Sequence, residues 1–190
     1  MPRIKPLEPP YPEDIDRALR RWMPPEAAHE PIVLFRVLHR NPELASRMFA
    51  TGAGLLGHGL LPAADRELVI ARTTARAGCV YEWSVHAAAF AEAVGLTREQ
   101  LRATVDADPT AQAAWTPRQT ALLHAVDALH DTADLPPDAW TALRDHYDDA
   151  QMLEFLVLTG WYRTISYLAN ALRLDPEPWA ARHADSSAPE

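Results

Sequence analysis

The chain has 190 residues, of which 48 % are hydrophobic, and its formal net charge is −8. This length fits one compact domain with additional terminal segments and allows a substantial buried core. The negative charge argues against a nucleic-acid-binding surface and against binding to an anionic membrane, since both need clusters of basic side chains. The single cysteine excludes an internal disulfide and favours a reducing compartment.

The N-terminal segment contains no apolar region of the kind that marks a signal peptide. No apolar stretch approaches the roughly 18 residues that a membrane-spanning helix requires. We therefore expect a cytoplasmic protein that binds neither membranes nor nucleic acids.

Five prolines lie among residues 2–12, and because proline lacks an amide donor this segment is not expected to be helical. Residues 1–12 are predicted to form an extended arm that lies on the body or on a neighbouring subunit. Residues 13–175 are predicted to form a single helical domain, since the period-two alternation of strands is missing. Residues 176–190, which contain mainly small and polar side chains, are predicted to form a flexible tail.

The predicted helices begin and end at local sequence signals. Asn41 followed by Pro42 is typical of an N-cap and the first helical residue. Thr97 followed by Gln100 predicts a capping box, and Gly78 stands where a left-handed residue often ends a helix. In chain order, the predicted helices cover residues 13–22, 31–38, a stretch from Asn41 to about 56, 62–77, 79–94, a short helix from 97, 116–130, 136–147 and 150–171.

The helix predicted from residue 79 carries three reactive side chains on one face. Cys79, Glu82 and His86 stand at i, i+3 and i+7, so a thiol, a carboxyl group and an imidazole share one stripe. Glu67 lies on the preceding helix and reaches the same cleft if the two helices form a hairpin at Gly78. Two carboxyl groups around one imidazole are suited to proton transfer.

Each of these side chains also has a purely structural interpretation. A lone cysteine is more often a buried apolar residue, and a lone histidine is a core residue about as often as a catalyst. The helix is apolar on much of its circumference, however, so a carboxyl group and an imidazole on it need a partner or a function. Cys79 and His86 are about 10 Å apart along the helix axis, which disfavours a shared metal ion. The sequence predicts neither a metal nor another cofactor.

A resemblance to a known family is carried by seven residues in this region: Glu67, Gly78, Cys79, Tyr81, Glu82, Trp83 and His86. They resemble the core motif of the carboxymuconolactone decarboxylase family, including its alkyl hydroperoxidase D branch. That branch carries a glutamate, then Cys-x-x-Cys, then a histidine four residues after the second cysteine. Glu82 occupies the place of the second cysteine. The resemblance implies an all-α, alkyl hydroperoxidase D-like bundle that forms a homo-oligomer, either a dimer, a trimer or a hexamer.

The residues and the resemblance together imply general acid–base catalysis on a small acidic or carbonyl-containing organic molecule, by decarboxylation, isomerisation or related lyase chemistry. His86 is expected to act as the base or proton shuttle, with Glu67 orienting it. Glu82 is expected to be an acid or second relay, and Cys79 either a polarisable wall or an activated thiol.

Three further side chains are expected to contact the substrate. Tyr81 and Trp83 flank the reactive stripe, and Arg163 could bind a substrate carboxylate with its guanidinium group. Arg163 also fits a second interpretation as a surface residue beside core aromatics.

Two alternative functions stay open from the sequence. One is a thiol peroxidase or oxidoreductase in which Cys79 works alone through a sulfenic acid that an outside thiol regenerates. The other is a non-catalytic oligomeric binding module. It predicts that Glu67, Glu82 and His86 are buried in mutual hydrogen bonds with no cavity beside them.

Overall fold

The computed structural model describes residues 2–24, 27, 29–111 and 113–181, and every regular element in these ranges is a helix. The predicted all-α fold is therefore confirmed. The helices are α1 (Glu13–Arg20), α2 (Val33–Leu38), α3 (Pro42–Gly57), α4 (Ala63–Arg76), α5 (Val80–Ala89), α6 (Arg98–Ala103), α7 (Pro117–Thr132), α8 (Pro137–Arg144) and α9 (Asp149–Leu172). Within the described part of the chain, no helix is long and apolar enough to cross a bilayer.

Local capping explains why several of these helices begin where the sequence predicted. The Asn41 side chain accepts a hydrogen bond from the Leu44 amide at 3.1 Å at the start of α3. The Thr97 hydroxyl accepts from the Gln100 amide, and the Gln100 side chain accepts from the Thr97 amide, each at 3.1 Å. The predicted N-cap and capping box are thus confirmed, because both use only contacts within one helical turn.

The helix α5 ends earlier than predicted, at Ala89 instead of Val94. Phe90 leaves helical geometry with a φ of −126°. Gly95 then adopts a φ of +79°, and the Leu96 amide donates to the Ala91 carbonyl oxygen at 3.0 Å. A left-handed glycine turn thus replaces the last helical turn predicted from the sequence.

The helix α4 lies at the centre of the fold and packs against α5, α7 and α9. Arg72 on α4 is 1 % exposed and donates to both carboxylate oxygens of Asp127 on α7, at 2.7 and 2.8 Å. It also donates to the carbonyl oxygens of Thr104 and Asp106. These bonds hold α7 and the segment after α6 against α4, and so fix the helix that carries Glu67.

Both terminal segments contact the helical body within this chain. The Arg3 amide donates to the Leu172 carbonyl oxygen at 2.8 Å, which places the N-terminal arm at the end of α9. Glu177 is buried, although it belongs to the predicted tail. Residues 182–190 of that tail lie outside the described residues, and the division of the chain into arm, domain and tail stays a prediction.

Candidate active site

A tight turn between α4 and α5 brings the predicted acid–base residues together. Gly78 adopts a φ of +60°, a left-handed conformation that favours glycine. The Gly78 amide donates to the Ala75 carbonyl oxygen and the Cys79 amide to that of Thr74, both at 2.9 Å. This pair of bonds is a Schellman motif, which ends α4 and lets α5 pack back along it.

Glu67 and His86 form a buried pair across this hairpin. The Glu67 Oε2 atom lies 2.7 Å from His86 Nδ1, and the two residues are 2 % and 5 % exposed. Arg66 donates from Nε to Glu67 Oε1 at 3.1 Å and from Nη1 to the Leu56 carbonyl oxygen. Since a carboxylate only accepts, Nδ1 of His86 must carry a proton in this contact.

The second imidazole nitrogen faces a different pair of groups. His86 Nε2 lies 3.1 Å from the Tyr162 hydroxyl and 3.5 Å from Glu82 Oε1. The Tyr162 and His86 rings are perpendicular, with centroids 5.0 Å apart. Glu82 Oε2 is buried and has no hydrogen-bond partner in the described part of the chain. The two carboxyl groups therefore lie at opposite nitrogens of one ring, and one oxygen of Glu82 is left without a hydrogen bond among the described residues.

The charges of this cluster favour a protonated imidazole. Burial alone lowers the pKa of His86, but the carboxylates of Glu67 and Glu82 outweigh it and raise the pKa to about 9. Burial conversely raises the pKa of Glu67, yet the His86 and Arg66 cations outweigh it and hold that pKa below its ordinary value. At neutral pH the pair is therefore a carboxylate and an imidazolium.

Tyr162 remains a neutral phenol in this environment. Burial raises the pKa of Tyr162 well above its ordinary value, and the charges of Glu82 and Glu67 add to the effect. A protonated His86 Nε2 can donate only to an acceptor, so it donates to the phenolic oxygen or to Glu82. In the first case the phenolic hydrogen is free to be donated to another group.

A cavity of about 450 Å³ lies beside this cluster, between α3, α5, α9 and the segment that precedes α2. The lining residues include Glu82, His86 and Tyr162. Arg21 is another, and its guanidinium group lies 4.6 Å from the centre of the Phe49 ring. Most of the wall is apolar, and its large aromatic members are Trp22, Phe35, Phe49, Phe90, Trp161 and Trp179. The volume falls in the range of sites that enclose small organic molecules.

Cys79 is not among the residues that line this cavity in the described part of the chain. It is 1 % exposed and packs in an apolar cluster with Val85 and Ile165. Burial raises the pKa of the Cys79 thiol to about 11, and the charge of Glu82 adds to this. This pKa is lowered by hydrogen bonds from the amides of Glu82 and Tyr81 and from the Ser166 hydroxyl, but burial has the larger effect. The thiol is thus buried close to Glu82 but outside the described wall of the cavity.

The three side chains predicted to bind substrate lie away from the cavity. The Tyr81 hydroxyl donates to the Glu177 carboxylate at 2.5 Å, and Trp83 Nε1 donates to the Thr104 hydroxyl at 2.9 Å. Successive residues of a helix point about 100° apart, so residues 81 and 83 face away from the stripe of Glu82. Arg163 lines a different cavity. A substrate in the cavity beside His86 would therefore contact other side chains.

The sequence prediction missed Tyr162, which lies 76 residues after His86 along the chain. It also missed the aromatic wall of the cavity. One sequence signal for Tyr162 existed, since its hydroxyl lies on a predominantly apolar helix and a buried tyrosine hydroxyl usually has a polar partner. Which partner it would find depended on how α9 packs against α5.

A family comparison covers the hairpin that carries the cluster. The model of the carboxymuconolactone decarboxylase family matches residues 42–129. This segment contains Glu67, Glu82 and His86, whereas Tyr162 lies after it. A comparison with curated proteins gave no match.

Several solved structures share the fold over nearly the whole chain. The debrominase Bmp8, in its apo form, has a TM-score of 0.80 at 16 % identity, with 98 % of both chains covered. The alkylhydroperoxidase AhpD core of an uncharacterized peroxidase-related protein from Ralstonia eutropha JMP134 has a TM-score of 0.77 at 20 % identity, again with 98 % of each chain covered. An uncharacterized peroxidase-related protein from Silicibacter sp. TM1040 has a TM-score of 0.78 at 17 % identity, with 93 % of each chain covered.

At these identities the structural likeness concerns the fold, while the family match covers the segment that contributes both carboxyl groups and the imidazole. The family match includes the motif around Glu67 and His86. Residues 42–129 of the chain are thus similar to the carboxymuconolactone decarboxylase family, and the whole chain has an AhpD-like fold.

Proposed function

We propose that this protein is an enzyme that transfers protons to and from a small, largely apolar organic molecule bearing a carbonyl group. The observation that carries the proposal is the buried cluster of Glu67, His86, Glu82 and Tyr162 at the wall of a 450 Å³ cavity. A set of linked acids and bases beside an apolar cavity is typical of general acid–base catalysis.

The proton-donating side of the cluster is the imidazolium of His86 with Tyr162. Glu67 binds Nδ1 and keeps the ring oriented, so that Nε2 faces the tyrosine oxygen at 3.1 Å. The phenol then donates its hydrogen toward a carbonyl oxygen in the cavity and takes a proton from Nε2. Glu67 thus acts as a positioning residue, and Tyr162 contacts the substrate.

The proton-accepting side is the carboxyl group of Glu82. Its Oε2 atom is buried without a hydrogen-bond partner among the described residues, and Glu82 lines the cavity. Glu82 removes a proton from the carbon beside the carbonyl group, and Tyr162 donates a proton to the carbonyl oxygen. Together these two transfers convert a ketone to its enol. Isomerisation of such a ketone passes through this enol, and decarboxylation of a 3-oxo acid forms the same enol or enolate as carbon dioxide leaves.

The wall of the cavity favours a neutral, unsaturated substrate over a strongly acidic one. Six phenylalanine and tryptophan side chains line it, and the polar end holds the carboxyl group of Glu82. A second negative charge placed next to this group would be repelled in a medium of low dielectric constant. Arg21 is the one arginine or lysine among the described lining residues, and its guanidinium group stacks on Phe49.

The second candidate is a thiol reaction at Cys79, which the descriptions of two structural neighbours as peroxidase-related favour. Such a reaction needs a thiolate. With a pKa of about 11 for Cys79, roughly one thiol in ten thousand is ionised at neutral pH. Its burial outside the cavity further disfavours attack on a bound molecule. A non-catalytic binding module is disfavoured by the large cavity beside the cluster.

Hydrogen–deuterium exchange tests the proposed proton transfer without knowledge of the true substrate. Phenylacetone and related neutral aryl ketones are incubated with the protein in deuterated buffer, and proton NMR follows loss of the signal beside the carbonyl. We expect exchange faster than in buffer alone, and a loss of about 10²-fold or more in Glu82→Gln.

Matched controls separate catalysis from general effects of mutation. His86→Gln should lose exchange like Glu82→Gln, whereas His124→Gln and Glu43→Gln, at exposed positions, should retain it. Exchange that is no faster than in buffer for the whole series of ketones, or that survives unchanged in Glu82→Gln and His86→Gln, would rule out the proposal.

A further inference from the structure

A second cavity, of about 320 Å³, lies between α4, α7 and α9. It shares no lining residue with the cavity beside His86 in the described part of the chain. The helix α9 separates the two, since Tyr162 lines the first cavity while Thr159 and Arg163 line the second. The second cavity is therefore distinct from the proposed site of proton transfer.

One residue that lines this cavity has a buried hydroxyl group without a hydrogen-bond partner among the described residues. Thr73 on α4 is 3 % exposed, and its Oγ1 atom makes no hydrogen bond within the described residues. The neighbouring Thr159 hydroxyl, by contrast, donates to the Phe155 carbonyl oxygen of its own helix at 2.9 Å. Leaving a buried hydroxyl unpaired costs about 1–3 kcal/mol. Thr73 is also one of the residues that line the cavity.

The wall of the cavity also includes an arginine that pairs with no carboxylate among the described residues. Arg163 makes no salt bridge with a carboxylate in the described part of the chain; it donates from Nε to the Tyr167 hydroxyl at 3.0 Å and from Nη1 to His130 Nδ1. Arg72 pairs with Asp127, and Arg76 pairs with Asp127 and Asp131, so two carboxylates face these two cations. Their charges are therefore compensated, and that of Arg163 is not.

The ionisation of His130 agrees with this positive environment. Burial lowers the pKa of His130, and the charges of Arg163 and Arg76 lower it further, against the smaller opposite effects of Asp131 and Asp127. A neutral imidazole can accept the hydrogen bond from Arg163. His130 thereby orients the guanidinium group without neutralising it.

The remaining wall is apolar and consists of Val126, Leu129, Ala133 and Leu156. We propose that this cavity binds a small organic monocarboxylate whose carboxylate group pairs with Arg163 and whose apolar body packs on this wall. Arginine binds carboxylates through charge-assisted, often bidentate, hydrogen bonds, and the volume limits the ligand to one small molecule. The Thr73 hydroxyl supplies a second polar contact inside the cavity.

Isothermal titration calorimetry with benzoate tests the proposal, and benzamide serves as the neutral isostere. We expect saturable benzoate binding with a Kd on the order of 1 mM and at least tenfold weaker binding of benzamide. Arg163→Gln should weaken benzoate binding at least about tenfold, because it removes the charge and the bidentate donor. Thr73→Val, which keeps the volume of the side chain, should weaken it about threefold.

A control variant assigns the binding to one cavity. Arg21→Gln alters the cavity beside His86 and should leave benzoate binding unchanged. Backbone NMR shifts on adding benzoate should be largest at Thr73, Gly160 and Arg163. Thermal melting confirms that each variant is folded.

Four results would overturn the proposal. The first is the absence of saturable benzoate binding, and the second is equal binding of benzoate and benzamide. The third is loss of benzoate binding in Arg21→Gln while Arg163→Gln retains it. The fourth is a change of oligomeric state in Arg163→Gln when the parent protein binds no benzoate. The last result would identify the face as a contact between copies of the chain.

Discussion

The substitution Glu67→Gln tests the electrostatic basis of the proposed site. Glu67 is the closer of the two carboxyl groups to the imidazole, at 2.7 Å from Nδ1, whereas Glu82 lies 3.5 Å from Nε2. Glutamine has nearly the same size and retains an oxygen that can accept from Nδ1. The substitution therefore removes the charge while it preserves the shape of the site.

The size of the effect follows from the pKa of His86. Its value of about 9 exceeds the ordinary 6.5 even though burial lowers it, and Glu67 makes the largest upward contribution. The difference corresponds to about 3 kcal/mol of preferential binding of the proton. Without Glu67, burial should prevail, and we expect the pKa of His86 to fall by at least about two units.

The same pair makes stability depend on pH. Because the folded-state pKa of His86 is raised, its stabilising contribution is full below 6.5 and is lost as the pH rises through about 9. Because the pKa of Glu67 is lowered, its contribution is present above 4.5 and is lost as the pH falls through the folded-state value. The wild-type protein should lose about 3 kcal/mol of this stabilisation at alkaline pH, and Glu67→Gln should lose much less.

NMR titration of the histidine side chains measures the pKa of His86 directly. Urea unfolding at pH about 6 and about 9.5 measures the change in stability. Glu82→Gln is the matched control and should lower the pKa of His86 by less than Glu67→Gln. A wild-type His86 that titrates near its ordinary pKa, or one that stays near 9 in Glu67→Gln, would refute the reasoning.

Two further substitutions test other parts of the structure. Cys79→Ala should retain proton-exchange activity within about threefold, because the thiol is buried outside the cavity; a hundredfold loss, or fast alkylation of the folded protein by iodoacetamide, would contradict this. Arg72→Met should lower the free energy of unfolding in urea by about 3–5 kcal/mol, because it breaks the buried ion pair with Asp127 and removes the donor to the carbonyl oxygens of Thr104 and Asp106. Arg47→Met, at the exposed pair with Glu43, should change it by less than about 1 kcal/mol, and equal effects of the two arginine variants would count against a structural role for Arg72.

Several features of the protein could be predicted from the sequence because short-range physics decides them. The caps at Asn41 and Thr97 join groups that are three residues apart. The left-handed turn at Gly78 depends on a residue without a side chain. Once this turn reverses the chain, the helical spacing of Glu82 and His86 determines that they share one face. The approach of Glu67 to His86 follows from the same hairpin.

Other features depend on how distant segments pack, and local patterns carry little information about them. Tyr162 reaches His86 from 76 residues away, through the packing of α9 against α5. The same packing places Arg163, which follows Tyr162 in the chain, in the wall of the second cavity. The sequence left Cys79 as either a polarisable wall or an activated thiol. Its neighbours, some of them from α9, bury it, and this burial raises the pKa of the thiol to about 11.

The sequence by itself therefore determined the helical class, the main caps and the carboxyl–imidazole hairpin, because each depends on contacts within a turn or between adjacent helices. Only the tertiary structure decided which of these groups face a cavity, which tyrosine completes the cluster and which side chains lie away from the cavity beside His86. The physical reason is that burial, the local dielectric environment and the shape of a cavity arise from all the helices packed together.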